Sequence, residues 1–189
     1  MKIILGSSSK YRKELLKSMG YEFEVISPDI DEKAIRHTDP QQLTLAIANA
    51  KADAVLKKLT APAIIIASDQ VVTWNDQIRE KPLDETEARY FLNSSSEAPV
   101  CTVSAIVVVN SETKQRYSGV DIAKIWFSTI PEKVIDTLIK EGEVYHCAGG
   151  FTHEHPIIQD YIIKMEGTTD SISGLPKKLT NELINKALN

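Results

Sequence analysis

Two neighbouring apolar segments place the strongest limit on what this chain can fold into. Val100 to Val109 and Arg116 to Phe127 each have the length and the β-branched content of a long strand. Asn110-Ser111 follows the first segment and is typical of a turn, so the two strands are predicted to form a hairpin. An antiparallel hairpin in a chain that is otherwise rich in helices excludes a purely parallel sheet built from repeated strand–helix units.

Shorter patterns predict the remaining elements, and with the length they indicate one domain. We expect an α/β (α+β) fold over residues 1–189, in which helices flank a mixed sheet, because 42% of the residues are apolar and no linker or repeat interrupts the chain. The predicted strands are 2–5, 21–26, 63–67, 71–74 and 160–165, and predicted helices follow Ser9 and span 41–58, 84–92, 131–141 and 176–188.

Charge and cysteine content limit the cellular compartment and the classes of partner that we expect. A net charge of -4 and a pI of 5.6 leave no broad basic face for a nucleic-acid polymer, although a few cations could hold a small anion. Cys101 and Cys147 form no disulfide framework, and no apolar run approaches a signal peptide or a membrane span. We therefore expect a cytoplasmic protein with a small-molecule partner and no membrane partner.

Small residues and cations meet where the first predicted helix begins. In the segment from Gly6 to Lys13, Ser7 and the neighbouring serines would let backbone N–H groups converge beside Arg12, an arrangement that holds phosphate. A serine-capped helix with surface cations would have the same sequence. Lys51 and Lys81 are two further cations that could neutralise a triphosphate, and each could equally be an ordinary surface lysine.

Carboxylates follow two of the predicted strands. Asp29, Asp31 and Glu32 lie in a loop after the second strand, and Asp69 comes directly after the apolar run 63–67. Such oxygens suit Mg²⁺ or Mn²⁺, which needs only one or two carboxylates when it is bound to phosphates. The loop also fits a solvated turn, and Asp69 also fits a helix cap or an ion pair.

A histidine-rich segment, residues 142–155, contains the chain's second cysteine. His146, Cys147, His153 and His155 could be taken for zinc ligands of a nucleic-acid-binding module, but their spacing matches none of the usual paired patterns. Gly149-Gly150 instead favours close approach of the backbone to a ligand.

Taken in order, these segments resemble the Maf family along nearly the whole chain. The matching positions are Leu5 to Leu16, Asp31-Glu32, Lys51, Asp69, Lys81-Pro82, Ala148-Gly149 and Gly174-Leu175-Pro176. Departures from the family pattern occur at Lys10, which replaces a proline, at Glu80, which replaces a glycine, and at 92–94. These departures leave the candidate catalytic side chains in place.

The resemblance implies a fold and a reaction. The fold would be that of the inosine-triphosphate pyrophosphatases, with a long twisted mixed sheet and two lobes around a cleft, and the protein would be a homodimer. The reaction would be hydrolysis of a nucleoside triphosphate to the monophosphate and pyrophosphate. Asp69 would be the catalytic base and would hold Mg²⁺, Mn²⁺ or Co²⁺ with Glu32, while the phosphates would be bound by Ser7, Arg12, Lys51 and Lys81.

Three positions resemble the branch of the family that acts on 7-methyl-GTP, namely Tyr11, Gln70 and Glu154. The resemblance implies that they set substrate specificity. Methylation makes the guanine cationic, so the face of Tyr11 could contribute about 0.5 to 2 kcal/mol through a cation–π interaction. Glu154 could accept from the guanine N1–H and amino group, whereas a pyrimidine edge offers only one such donor.

Two alternatives stay open beside the zinc module. The first is the same chemistry on dTTP and UTP or on non-canonical nucleotides. The second is a non-catalytic nucleotide-binding regulator of cell division, which the presence of Asp69, Glu32 and Lys81 disfavours.

Overall fold

A seven-stranded mixed sheet forms the centre of the computed structural model, which describes residues 1–151 and 153–189. The strand order is β2-β1-β3-β5-β6-β7, and β4 pairs with β3. Strand β1 is parallel to β2 and β3, whereas β4 is antiparallel to β3 and β7 is antiparallel to β6. The strands are β1 Lys2–Leu5, β2 Glu24–Val25, β3 Ala63–Trp74, β4 Gln77–Arg79, β5 Val100–Asn110, β6 Arg116–Phe127 and β7 Ile162–Glu166.

Seven α-helices are found in the described ranges. They are α1 Lys10–Ser18, α2 Pro40–Lys58, α3 Glu85–Ser94, α4 Glu132–Glu141, α5 Pro156–Gln159, α6 Thr169–Ile172 and α7 Lys177–Leu188. Helix α2 begins at a proline in its first turn, and the Asp39 side chain accepts hydrogen bonds from the N–H groups of Gln41 and Gln42. Helix α4 ends at Gly142, which adopts a left-handed conformation, φ 81°, as the sequence predicts for its C-terminus.

The chain divides into two compact units. The first comprises Met1–Gln70, Val103–Asp121 and Thr169–Asn189, and the second comprises Val71–Thr102 and Ile122–Thr168. Strands β3, β5 and β6 each contribute residues to both units. The prediction of a single domain over residues 1–189 stays a prediction.

Strand β3 is buried on both faces within the first unit. Alternate residues of a strand point to opposite faces, so Ile64 and Ile66 pack with residues of α1 and α7, whereas Ile65 and Ala67 pack with residues of α2. Leu16 and Ile184 belong to the first of these clusters. Two covered faces explain why this part of β3 is an unbroken apolar run rather than an alternating one.

The structure confirms the mixed sheet, the flanking helices and most of the predicted elements. Predicting separate strands at 63–67 and 71–74 was wrong, because β3 is continuous and Asp69 lies inside it. Predicted strand 21–26 is paired only at 24–25, and predicted strand 160–165 begins at Ile162, after helix α5. Strand β4 was not predicted, since its three residues are too few to show a period. No helix in the described part of the chain is long and apolar enough to span a membrane.

Candidate active site

A lysine joins two carboxylates in the first unit. Lys51 Nζ lies 2.7 Å from Asp69 Oδ1 and 3.0 Å from Glu32 Oε1. The side chains of Lys51 and Asp69 are only 7% and 8% exposed, whereas Glu32 is 49% exposed. The structure therefore brings together three of the predicted site residues, with one carboxylate buried and one open to solvent.

The placement of Lys51 follows from the pattern of helix α2. Lys51 lies beside Ala48, Ala52 and Val55, which pack on β3, so its ammonium group is directed into the protein. A buried ammonium needs a carboxylate partner, because removing an isolated charge from water is costly. Asp69 on β3 supplies that partner. The sequence predicted both residues as candidates but did not predict that they form an ion pair.

Burial dominates the acidity of Asp69. Desolvation raises the pKa of the Asp69 carboxyl above its ordinary value, although Lys51 and Arg12 act to lower it. Nearby Glu32 raises this pKa further by charge repulsion. A carboxylate whose basicity is increased in this way is suited to accept a proton.

Arg12 is fixed at the start of α1 by backbone carbonyls. Its Nε donates to Gly174 O at 3.1 Å and its Nη1 donates to Ser68 O at 2.9 Å. Ser7 is buried, and its hydroxyl lies 3.5 Å from the same Nη1 and accepts from the Ser9 N–H. Burial lowers the pKa of the Arg12 guanidinium below its ordinary value, although the charges of Asp69 and Glu32 act to raise it. The guanidinium is thus held rigidly in a cluster that also contains the carboxylates.

Gln70 binds the end of α6, the segment that precedes Gly174. Its Nε2 is 2.9 Å from Ser104 Oγ, 3.2 Å from Ser171 O and 3.0 Å from Ile172 O. Gly174 O accepts from the Ser68 hydroxyl at 2.9 Å in addition to Arg12. Sequence reasoning selected Gln70 but missed Ser68 and Ser104, since buried serines in strands carry no pattern of their own.

Lys81 belongs to the second unit and is exposed. It follows Arg79, whose guanidinium carbon lies 4.1 Å from the centre of the Trp74 ring and 4.7 Å from that of Phe91. The next carbonyl, Glu80 O, accepts from Gly149 N at 3.0 Å. The strand end before Lys81 is therefore tied both to α3 and to the glycine-rich turn. No local sequence pattern indicated the Arg79 contacts.

The remaining specificity candidates occupy different units. Tyr11 lies half-buried on α1 in the first unit, and Glu154 lies exposed in the second unit. Desolvation lowers the pKa of buried His153, and the charge of Glu154 acts to raise it. Thr152, which precedes His153, lies outside the described residues. Gly149 has φ 71°, and a β-carbon there would lie 2.7 Å from Val72 Cγ1, so the turn requires glycine.

The donor set fits a divalent cation that arrives with phosphate. Across residues 1–151 and 153–189, no group of three or more His, Cys, Asp or Glu side chains could hold a metal ion. The zinc alternative therefore has no ligand set there, and burial raises the pKa of the Cys147 thiol to about 11. Asp69 and Glu32 do converge on one cationic group, and two carboxylates suffice for Mg²⁺ when phosphate oxygens complete its shell.

Fold and site together define an α/β protein in which a buried lysine–aspartate ion pair lies in an electrostatic cluster with Arg12 and Glu32. The sequence model of the Maf-like protein family matches residues 2–187. This chain belongs to that family. It is 49% identical over 191 residues to a 7-methyl-GTP pyrophosphatase of Dictyostelium discoideum, covering 97% of this chain and 96% of the relative.

Other similarities are more distant. A dTTP/UTP pyrophosphatase of Vibrio vulnificus is 29% identical over 185 residues, covering 98% of each chain. The solved structure of a HAM1 protein from Coxiella burnetii aligns with a TM-score of 0.47 at 13% identity, covering 100% of this chain and 98% of that one.

Proposed function

We propose that this protein is a nucleotide pyrophosphatase that hydrolyses 7-methyl-GTP to 7-methyl-GMP and pyrophosphate. Family membership supports the class of reaction, and the 49% identity with a relative named for 7-methyl-GTP supports the base. The 29% identity with a dTTP/UTP pyrophosphatase makes those nucleotides the second candidate.

The buried Lys51–Asp69 pair is the observation that carries the proposed chemistry. Asp69 accepts a proton from a water molecule as the water oxygen attacks the α-phosphorus. The bond between the α-phosphorus and the oxygen that bridges to the β-phosphorus breaks, and pyrophosphate leaves. The raised pKa of Asp69 makes it a stronger base than an ordinary aspartate.

Cationic side chains of the protein would neutralise the phosphates, and two carboxylates would hold a divalent metal beside them. Asp69 and Glu32 would hold Mg²⁺, Mn²⁺ or Co²⁺, which supplies Lewis-acid neutralisation of the phosphate oxygens. Arg12 is already fixed by two carbonyls, so little conformational entropy is lost when it binds an anion. Ser7, Lys51 and Lys81 are the other proposed phosphate ligands.

Base recognition is assigned to two side chains that the family resemblance indicates. Tyr11 offers an aromatic face to the cationic base, and Glu154 offers a carboxylate to the donor edge of guanine. Gln70, the third position that the sequence predicted for specificity, is not assigned to the base, because its amide donates to Ser104, Ser171 and Ile172. We further infer a cytosolic location from the free cysteines and homodimeric assembly from the family resemblance.

The test is pyrophosphate release from 7-methyl-GTP, GTP, dTTP, UTP and ITP with Mg²⁺ or Mn²⁺, in the wild type and in Asp69→Asn. We expect 7-methyl-GTP to be the best substrate and Asp69→Asn to lose turnover by at least about 1,000-fold, because the proton acceptor and one proposed metal ligand are both changed.

Asp53→Asn is the matched control, since Asp53 is a carboxylate on α2 that pairs with Arg116 near the surface. We expect it to retain wild-type turnover. Asp69→Asn activity near that of the control would contradict the mechanism. Preference for dTTP or UTP would leave the mechanism intact and refute the assigned base, and binding without any turnover would favour the regulator.

A further inference from the structure

Gln70 makes contacts that differ from those of a residue that reads a base. An amide group has two N–H bonds, and Gln70 Nε2 already has three acceptors within 3.2 Å, namely Ser104 Oγ, Ser171 O and Ile172 O. Two of these acceptors are backbone carbonyls at the end of α6. The donor side of the amide is therefore committed to the protein and has no remaining N–H for a nucleotide.

The segment that Gln70 holds ends at the carbonyl that fixes Arg12. Helix α6 ends at Ile172, and two residues later Gly174 O accepts from Arg12 Nε and from the Ser68 hydroxyl. Ser104 strengthens the connection, since its hydroxyl also lies 3.4 Å from Ser171 O. A short hydrogen-bonded path thus runs from Gln70 through 171–174 to the guanidinium of Arg12.

Close packing leaves little freedom along this path. Gly174 has φ 88°, and a β-carbon there would lie 3.2 Å from Gln70 Oε1 and 3.4 Å from Arg12 Nε. Gln70 and Arg12 therefore flank the same glycine. A shift of the turn would move the carbonyl and, with it, the guanidinium that donates to that carbonyl.

We infer that Gln70 is a positioning residue for the triphosphate: it holds the 171–174 turn, and the turn holds Arg12. The inference rests on the proposed function, because it assigns Arg12 to the phosphates. Loss of the Gln70 amide should weaken binding of every triphosphate to the same extent, whichever base it carries.

A double-mutant cycle between Gln70 and Arg12 tests this inference. KM and kcat are measured for 7-methyl-GTP and GTP in the wild type, Gln70→Ala, Arg12→Ala and the double variant. We expect Gln70→Ala to raise KM about 10-fold for both nucleotides, leave the ratio of their kcat/KM values unchanged, and have no further effect in the Arg12→Ala background. A changed ratio, or effects that multiply, would overturn the inference in favour of direct contact with the base.

Inorganic tripolyphosphate provides a readout without a base. Its dissociation constant, measured by calorimetry, should rise by the same factor in Gln70→Ala, and an unchanged constant would refute the inference. This measurement needs no turnover, so it still decides the role of Gln70 if the wild type hydrolyses no nucleotide and the proposed function fails.

Asn110→Ala is the matched control for a purely structural effect. Asn110 is a buried amide whose Nδ2 donates to Ala187 O and whose Oδ1 accepts from two backbone N–H groups. We expect this variant to lower the melting temperature without changing KM or tripolyphosphate binding. A rise in KM equal to that of Gln70→Ala would show that general destabilisation explains both variants and would overturn the inference.

Discussion

Lys51 counteracts the effect of burial on the acidity of Asp69. The ammonium at 2.7 Å stabilises the carboxylate and opposes the effect of burial on the pKa. Replacing Lys51 by Met should therefore raise the pKa of Asp69 further. Since only the ionised carboxylate can accept a proton, we expect the acid limb of the pH profile of kcat/KM to move to higher pH in Lys51→Met.

Lys58→Met is the control for that prediction. Lys58 lies on the same helix and also pairs with an aspartate, Asp29, but both side chains are well exposed. Its pH profile should match that of the wild type. An acid limb in Lys51→Met that does not move, or that moves to lower pH, would show that Asp69 is not the titrating group.

At the scale of elements, the β4–α3 contact depends on a buried arginine. Arg79 is 2% exposed, donates to Phe91 O and to Ser94 Oγ, and lies against the rings of Trp74, Tyr90 and Phe91. We expect Arg79→Lys to lower the free energy of unfolding by about 2 kcal/mol, because lysine keeps the buried charge but loses the planar stacking and the two-pronged donation.

Arg79→Met should lower the free energy of unfolding less than Arg79→Lys does, since methionine removes the buried charge and still packs against the aromatic rings. Arg116→Met is the surface comparison: its ion pair with Asp53 should contribute less than about 1 kcal/mol. Urea denaturation of the three variants measures these differences. Equal free energies of unfolding for Arg79→Lys and Arg79→Met would contradict the prediction, because they would show that a buried positive charge at position 79 does not destabilise the protein.

Hydrophobic periodicity predicted helices and strands well where both of the elements that pack together carry a clear apolar pattern. The apolar stripe of helix 41–58 and the run 63–67 predicted the core of the first unit. Lys51 at the edge of the stripe and Asp69 after the run were the site candidates. The continuity of β3 through Asp69 was missed because backbone pairing does not depend on side-chain polarity. The bonds from Gln70 to Ser171 and Ile172 join residues about 100 positions apart, which no local pattern reveals.

For the whole molecule, ligand binding should appear as thermal stabilisation. A methylene-bridged analogue of 7-methyl-GTP, uncleavable between the α- and β-phosphorus, should raise the melting temperature when added with Mg²⁺. At 100 times its dissociation constant a ligand adds about 2.7 kcal/mol to the free energy of unfolding. For a chain of this length that corresponds to a rise of about 5 to 10 °C.

The analogue of unmethylated GTP is the comparison ligand, and scanning calorimetry is the measurement. A smaller shift with GTP at equal concentration is expected if the methyl group is recognised. If neither analogue changes the melting temperature, at any analogue concentration in the presence of excess Mg²⁺, the result would argue against a nucleotide site in this protein.

The protonated state of the native thiols affects how the protein can be modified. Desolvation and the charge of Glu143 raise the pKa of Cys147 to about 11, and burial also raises the pKa of Cys101. At neutral pH Cys147 is therefore almost entirely in the thiol form, whereas the thiolate is the form that reacts with maleimides and oxidants. A cysteine introduced at the exposed position Leu83 can therefore carry a fluorescent or spin label while both native cysteines remain in place.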